Sequence, residues 1–349
     1  MNRVLFHEAL QTAMEDKENV ILCRSILGTA DVGRIAEETN RFCIRHFGSA
    51  AATALYVGFS VGASFGLELE NGLRLFMKVH QPTSADTLTA ISKSYLCAMS
   101  SVQKSLAEQG FPCPGVLLGP TEFGTGIATV DAFAAPGELK DAHSPEIRRA
   151  IARALARLIT ATEPHKGAEG LTHGRFCKSE SLYPVPHNAL FDFAKTSNGA
   201  AWIDAIAGQA KRTVNRIGGN TVLGHVDWSL KHFRFRDGEV AMVYDWDSLK
   251  LEDELNVLGI AAATYTTTWD IPVKITPSQE EAHAFALEYE QARGTRFSRD
   301  EWTKIAAAAT YCMAYVARCE HALDAEGERY EGSFRQALAS MTGEYYLQV

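Results

Sequence analysis

The sequence predicts an α+β chain of two lobes, a small one built on an antiparallel sheet and a larger one that is mainly helical. Three observations carry this expectation. From Thr53 to His80 apolar residues alternate with a period of two, interrupted at Ser60-Val61-Gly62-Ala63 and at Glu70-Asn71-Gly72; Asn-Gly between alternating segments is a strong hairpin signal because it tolerates positive φ. Beyond Ser144 the pattern changes to helical spacing and keeps it over most of the remaining chain. Inside that helical half lies one exception, Val222 to Leu249, where strand-like runs and a tight turn gather several carboxylates.

Taken in order, residues 1–50 read as a helical N-terminal extension, with Val32, Ile35, Ala36 and Thr39, then Phe42, Cys43 and Phe47, at helical spacing. The small lobe, 51–135, opens with Ala54–Phe59 and Ser64–Leu69 as paired strands, and its third strand, Leu73–His80, carries Lys78. A cation without a function is costly to bury in so apolar a strand; the other reading is an edge-strand lysine facing water. A helix from about Thr87 to Gln109 ends at Gly110, before Phe111-Pro112-Cys113-Pro114. Val116–Leu118 and Ile127–Phe133 read as the last small-lobe strands, and Pro136-Gly137 breaks the pattern, so the link between lobes falls at about 130–137.

The large lobe, 136–349, begins a helix at Ser144-Pro145-Glu146, which offers an N-cap, a first-turn proline and a first-turn acid. Ile147, Ile151, Leu155, Leu158 and Ile159 mark its buried stripe. A loop at 164–187 follows, whose His165, His173 and His187 lack metal-ligand spacing and read as surface residues. Helical character is expected from Ala189 to Ile217, again directly after Asp247, over Ser278–Arg293 and Arg299–Leu323, and over about Tyr330–Tyr346.

Composition narrows the function. The chain has 349 residues, 46% hydrophobic and 22% charged, enough for a sizeable core in two lobes. Seven cysteines, an odd number without a Cys-x-x-Cys pair, support neither a disulfide framework nor a zinc finger, and a reducing cytoplasmic setting is expected. Charges scattered through the first twenty residues, and the lack of any apolar run of roughly eighteen residues, speak against a standard secretion signal and a membrane span. From Asp245 to Glu301 there are twelve Asp or Glu against five Lys or Arg, within a net charge of −8. Such a concentration would attract a cationic small molecule and oppose nucleic acid, although surface helices also carry acids for solubility.

The chemistry is expected in Val222–Leu249. An apolar strand delivers His225-Val226-Asp227, a polar loop runs to His232, and a hairpin turning at Asp237-Gly238 brings Asp245 back beside Asp227. Two carboxylates so placed can divide the work: one accepts a proton from a nucleophile, the other holds a hard cation through oxygen. That is the logic of phosphoryl transfer. An Asp after a strand is by itself often a turn residue, so the weight rests on the combination, with His225 read as a structural brace.

At these residues the chain resembles the aminoglycoside phosphotransferase family, small-molecule kinases of the protein-kinase-like fold. The family's His-x-Asp, four residues, Asn, and a later Asp-Trp-Asp or Asp-Trp-Glu are met by His225-Val226-Asp227, Trp228 to Lys231, His232, and Asp245-Trp246-Asp247. The resemblance spans about 50–265 and implies a bilobal kinase-like fold with ATP- or GTP-dependent O-phosphorylation of a small hydroxylated molecule. Aminoglycoside-like antibiotics, amino alcohols and sugars are the substrate classes it suggests. It implies Asp227 as the base that orients the hydroxyl, Asp245 as ligand of a Mg²⁺ bridging the phosphates, and Lys78 as contact to the α- and β-phosphates. Further, it places Ser60, Gly62 and Ser64 beside the nucleotide, the backbone of Asp131, Phe133 and Ala134 near the base, and Asp247 and Glu252 towards the acceptor. Gly58, Gly62 and Gly66 do not form the Gly-x-Gly-x-x-Gly of protein kinases.

Two further departures stand out. His232 occupies the position of the family's second metal-binding Asn; Mg²⁺ prefers oxygen while imidazole suits Mn²⁺ and other borderline metals. His232 therefore either ligates and favours Mn²⁺, or turns away and braces Asp227. The kinase pattern also places a glutamate in the helix after Lys78, yet Thr87 to Ala107 holds no acid; Glu108, Gln103, Tyr95 or an anchor elsewhere must serve. These departures keep open a second function, a non-catalytic nucleotide- or ligand-binding relative, against which the presence of both Asp227 and Asp245 tells. Nucleic acid and membrane are not expected as partners.

Overall fold

The apolar residues bury themselves in two clusters, and residues 91–113 of the first half join the cluster of the second. The structure, a computed structural model, describes residues 4–81, 91–174, 176, 180–187, 190–327 and 332–348. A two-residue strand, β1 (Val4–Leu5), leads into α1 (Phe6–Ala13), α2 (Lys17–Leu27) and α3 (Val32–Phe47). Asp16 and Asp31 cap α2 and α3 by accepting from the N–H groups of Glu18 and Arg34, which satisfies donors that a helix start leaves open.

β2 (Ala51–Phe59), β3 (Ala63–Leu69) and β4 (Arg74–His80) then form an antiparallel meander, followed by α4 (Lys93–Glu108), β5 (Val116–Phe123) and β6 (Gly126–Ala132). The sheet order is β1-β2-β3-β4-β6-β5. Alternation gives the sheet two faces. One carries Phe65, Leu67, Leu75, Met77, Val79 and Val130, which pack with Phe6, Leu10, Ile26, Ile35 and Phe42 from α1–α3 into a single buried cluster. The other carries Ser64, Lys78 and Thr129, paired in register across three strands.

The second half contains α5 (Pro145–Thr162), α6 (Ala201–Arg216), β7 (Thr221–His225), the hairpin β8 (Phe233–Arg236) and β9 (Glu239–Val243), β10 (Leu249–Asp253), α7 (Glu254–Thr264), α8 (Gln279–Arg293), α9 (Arg299–Leu323) and α10 (Phe334–Ala339). Every residue of α7 is buried. Its Gly259 permits the crossing with α9: an added Cβ would lie 2.5 Å from the Ile305 carbonyl oxygen. No helix among the described residues is long and apolar enough to cross a membrane.

Four expectations are corrected. The helix read from Thr87 starts at Lys93, where the Ser92 side chain accepts from the Tyr95 N–H; 82–90 lie outside the described residues. The helix read from Ala189 starts only at Ala201, after a series of turns. The chain after Asp247 first forms β10, paired antiparallel with β7 from Leu249↔His225 to Asp253↔Thr221. Its Leu-Lys-Leu-Glu-Asp sequence looks like a solvated surface, but Lys250, Glu252 and Asp253 are buried. The last helix is confined to Phe334–Ala339, and Gly343 takes φ 85° within the irregular segment beyond it.

Candidate active site

The loop between β7 and β8 is tied down by His225. Its Nε2 lies 3.1 Å from the Tyr244 carbonyl oxygen and its Nδ1 accepts from the Asp227 N–H at 3.3 Å, so one ring joins the start of the loop to the residue preceding Asp245. Burial lowers the pKa of this imidazole, leaving it a neutral donor and acceptor.

Asp227 is held on both oxygens. Oδ1 accepts from Ser229 Oγ at 2.7 Å, while Oδ2 lies 2.9 Å from Lys231 Nζ and 3.0 Å from His232 Nε2. Burial opposes its charge, but Lys231, His232 and Ser229 prevail and hold the carboxyl well below the usual carboxylate range. Asp245 follows the β8–β9 hairpin, whose turn places Asp237 and Gly238 at positive φ. Asp245 itself takes the left-handed conformation, φ 66°, which Asp tolerates better than most residues. Its Oδ2 lies 3.1 Å from Ser248 Oγ and 3.7 Å from His232 Nε2. Against the burial penalty, Lys78 and His232 depress its pKa strongly.

One ligand atom each from Asp227, His232 and Asp245 lie within 4.8 Å of one another. Two carboxylate oxygens and an imidazole nitrogen at that spacing suit a divalent cation. His232 thus stands between the two carboxylates, close enough to brace one and to share a metal with the other.

Lys78 does not face water. Its Nζ lies 2.5 Å from Asp245 Oδ1 and 2.7 Å from Asp247 Oδ1. The turn after β2 folds onto it: an added Cβ on Gly62 would fall 2.7 Å from the Val79 carbonyl oxygen and 3.4 Å from Lys78 Cε, so this close approach requires glycine. Ser60 donates its N–H to the Gly62 carbonyl, and Ser64 is the cross-strand partner of Lys78. Asp131 lies opposite Phe76 on β6, where burial pushes its carboxyl up to about 7 although a hydrogen bond with Gln103 opposes the shift. The Phe133 N–H donates to the Arg74 carbonyl, and the Ala134 carbonyl accepts from the Tyr244 hydroxyl at 2.5 Å. A base meeting this stretch must use the groups between those two bonds or exchange with them.

Other expectations change. Asp247, expected towards the acceptor, has its Oδ1 on Lys78 Nζ. Glu252 is fully buried on β10, its Oε1 accepting from the Asp253 N–H and from Asn256 Nδ2; pairing of β10 with β7 turns it into the interior, so it is scaffold. His187, expected on the surface, is half-buried: its Nδ1 lies 3.0 Å from the Tyr315 hydroxyl and burial lowers its pKa to about 4. Part of the acidic stretch is matched within the fold, Asp253 by Lys304, Glu254 by Arg293 and Glu288 by Arg148, while Glu281 lies 3.0 Å from His143 Nδ1. Two site residues were not picked out from the sequence, Ser229 and Lys231. Their signal is position alone, since they lie within the four-residue spacer between Asp227 and His232.

With this geometry in place, comparison with known proteins defines the class. The chain belongs to the phosphotransferase enzyme family, whose model matches residues 58–305, and by class it is a phosphotransferase. No curated protein matches it. Among solved structures it is similar to amicoumacin kinase hAmiN in complex with AMP-PNP, Ca²⁺ and Ami, with TM-score 0.57 and 14% identity over 82% of this chain and 85% of that one. It is similar also to spectinomycin phosphotransferase APH(9)-Ia in complex with ADP and spectinomycin, with TM-score 0.53 and 12% identity over 89% and 96%. Plasmodium vivax ethanolamine kinase gives TM-score 0.50 and 10% identity over 93% and 94%. The fold is that of the protein-kinase-like phosphotransferases, as the resemblance implied.

Proposed function

We propose that this protein transfers the γ-phosphoryl group of ATP or GTP to a hydroxyl of a small molecule, an aminoglycoside-like antibiotic, an amino alcohol or a sugar. The observation that carries the reading is the convergence of Asp227, His232 and Asp245 within 4.8 Å beside a lysine bound to Asp245. In the reaction the acceptor oxygen bonds to the γ-phosphorus, the bond from that phosphorus to the β–γ bridging oxygen breaks, and the acceptor proton passes to Asp227. Because Lys231 and His232 keep Asp227 ionised, it serves mainly to align the hydroxyl and takes the proton late, which suits the loose transition state of phosphoryl transfer. Ser229 fixes the carboxylate's orientation through Oδ1, while Oδ2, on Lys231 and His232, is the oxygen the acceptor hydroxyl would share. Lys78 binds phosphate oxygens.

Asp245 and His232, with Asp227 alongside, would hold Mg²⁺ or Mn²⁺, whose charge neutralises the phosphates. Nucleotide and divalent-ion use is supported by the relatives, described with AMP-PNP and Ca²⁺ or with ADP. A reducing, cytoplasmic setting fits the cysteines, since Cys23, Cys43, Cys97, Cys113, Cys312 and Cys319 are all free thiols. The test has two stages, nucleotide-dependent thermal shift with and without Mg²⁺, then phosphotransfer from labelled ATP across a panel of hydroxylated antibiotics, amino alcohols and sugars. Transfer to any acceptor, abolished in Asp227→Asn, supports the proposal. Nucleotide binding without transfer to any of them favours a non-catalytic nucleotide-binding role.

A further inference from the structure

The sequence left open what anchors Lys78, and the site shows two carboxylates on its ammonium where one would suffice. α4 supplies neither: the helix holds one acid, Glu108, exposed at its last position. Gln103, another candidate, instead donates to the Pro114 carbonyl. Asp245 and Asp247 differ in what else claims them. Asp245 belongs to the cluster able to hold a cation, and a divalent ion there competes with the ammonium for the same carboxylate. Asp247 lies outside that cluster, its side chain only 7% exposed, with Oδ1 on Lys78 and Oδ2 3.8 Å from His80 Nδ1.

The backbone around Asp247 is held as well. The Tyr95 hydroxyl lies 2.6 Å from the Asp247 carbonyl oxygen and 2.7 Å from that of Leu249, so its single proton is shared between two carbonyls where the chain passes from the catalytic turn into β10. Thus α4 reaches the lysine's anchor through a neutral hydroxyl and not through an ion pair.

We infer that Asp247 is the positioning residue for Lys78, holding the ammonium towards the nucleotide from the catalytic turn, in the place a helix carboxylate fills in the kinase pattern. The inference rests on the reading of Lys78 as a phosphate-binding residue. It follows that the lysine stays aligned when a metal engages Asp245, and that α4 carries no ionic duty in nucleotide binding.

The experiment is a double-mutant cycle on nucleotide affinity. Lys78→Ala, Asp247→Asn and the double variant are titrated with AMP-PNP and Mg²⁺ by calorimetry, and each is melted without nucleotide to confirm folding. Removing Asp247 leaves Lys78 paired with Asp245, so no buried charge is stranded. Each single variant is expected to lose affinity on the order of tenfold, with the double variant no weaker than the worse single, and Asp247→Glu is expected to recover part of the loss. A structural lesion would add to the loss at Lys78; a positioning residue would not. Wild-type affinity in Asp247→Asn alongside a loss in Lys78→Ala overturns the inference, as does an additive double. Wild-type affinity in Lys78→Ala overturns the phosphate-binding reading itself, and the inference with it. Should Asp247→Asn fail to fold, Asp247→Ser removes the same charge in less volume and is judged by the same outcomes.

Discussion

Replacing Asp227 by Asn separates chemistry from architecture. The carboxylate receives three donors, Ser229, Lys231 and His232, and an amide of the same shape can still accept through one atom. The pair with Lys231 is partly exposed, 33% and 35% for the two side chains, so solvent screening limits its contribution to about 1 kcal/mol. A donor–donor mismatch at the amide nitrogen adds about 1–3 kcal/mol. The sum is within what a folded protein of roughly 5–15 kcal/mol total stability survives. Loss of the base should cost on the order of 10²–10⁴ in rate, about 3–5 kcal/mol of barrier at 1.36 kcal/mol per tenfold. The assay is kcat with an acceptor identified from the panel, alongside nucleotide affinity and a melting curve. Expected is a folded variant that binds nucleotide near-normally and turns over at least about a hundredfold more slowly. A kcat within tenfold of wild type would remove Asp227 from the chemistry.

Three other perturbations read different parts of the site. His232→Asn should shift the Mn²⁺/Mg²⁺ ratio of kcat/KM towards Mg²⁺, since an amide oxygen replaces an imidazole nitrogen; an unchanged ratio with a lowered Tm would mean that the ring only braces Asp227. Gly62→Ala should weaken nucleotide affinity and cost about 1–3 kcal/mol of stability, because the new Cβ meets the Val79 carbonyl at 2.7 Å; unchanged melting and binding would refute that approach. Asp131→Asn tests a pH dependence. The carboxyl titrates near 3.8 when exposed and about 7 when folded, so between those values the folded state keeps a proton that the unfolded state has released. Its contribution to stability therefore falls as pH rises through that window, by up to roughly 4 kcal/mol. The variant should melt higher than wild type at pH 8 and show a much smaller gain at pH 5; equal gains at both would refute the assignment.

How far the sequence reached depends on which signal each element gave. The hairpins announced themselves through Asn71-Gly72 and Asp237-Gly238, whose backbone needs are local, and the structure turns at both. β10 gave no such signal: Lys250, Glu252 and Asp253 are buried by partners distant in sequence, Thr172 for Lys250 and Lys304 for Asp253. The same limit applied within the site. Asp227 and Asp245 could be placed by motif, since their spacing follows from one hairpin. The anchor of Lys78 could not, because Asp247 reaches it across 169 positions. Nor could the role of Tyr244, whose hydroxyl meets Ala134 across 110.

The packing of α1–α3 separates two boundaries often taken as one. The family match begins at residue 58, but the sheet that carries Lys78 has its far face closed by Phe6, Leu10, Leu22, Ile26, Ile35 and Phe42. Its strand β2, bordered in turn by Val4 and Leu5 of the edge strand β1, lies almost wholly ahead of that boundary. A chain cut at the family boundary would uncover that apolar face and leave an open strand edge, the two features that most readily lead to self-association. The unit that folds therefore begins well ahead of the unit that defines the family, and expression of a minimal catalytic fragment must keep the leading helices.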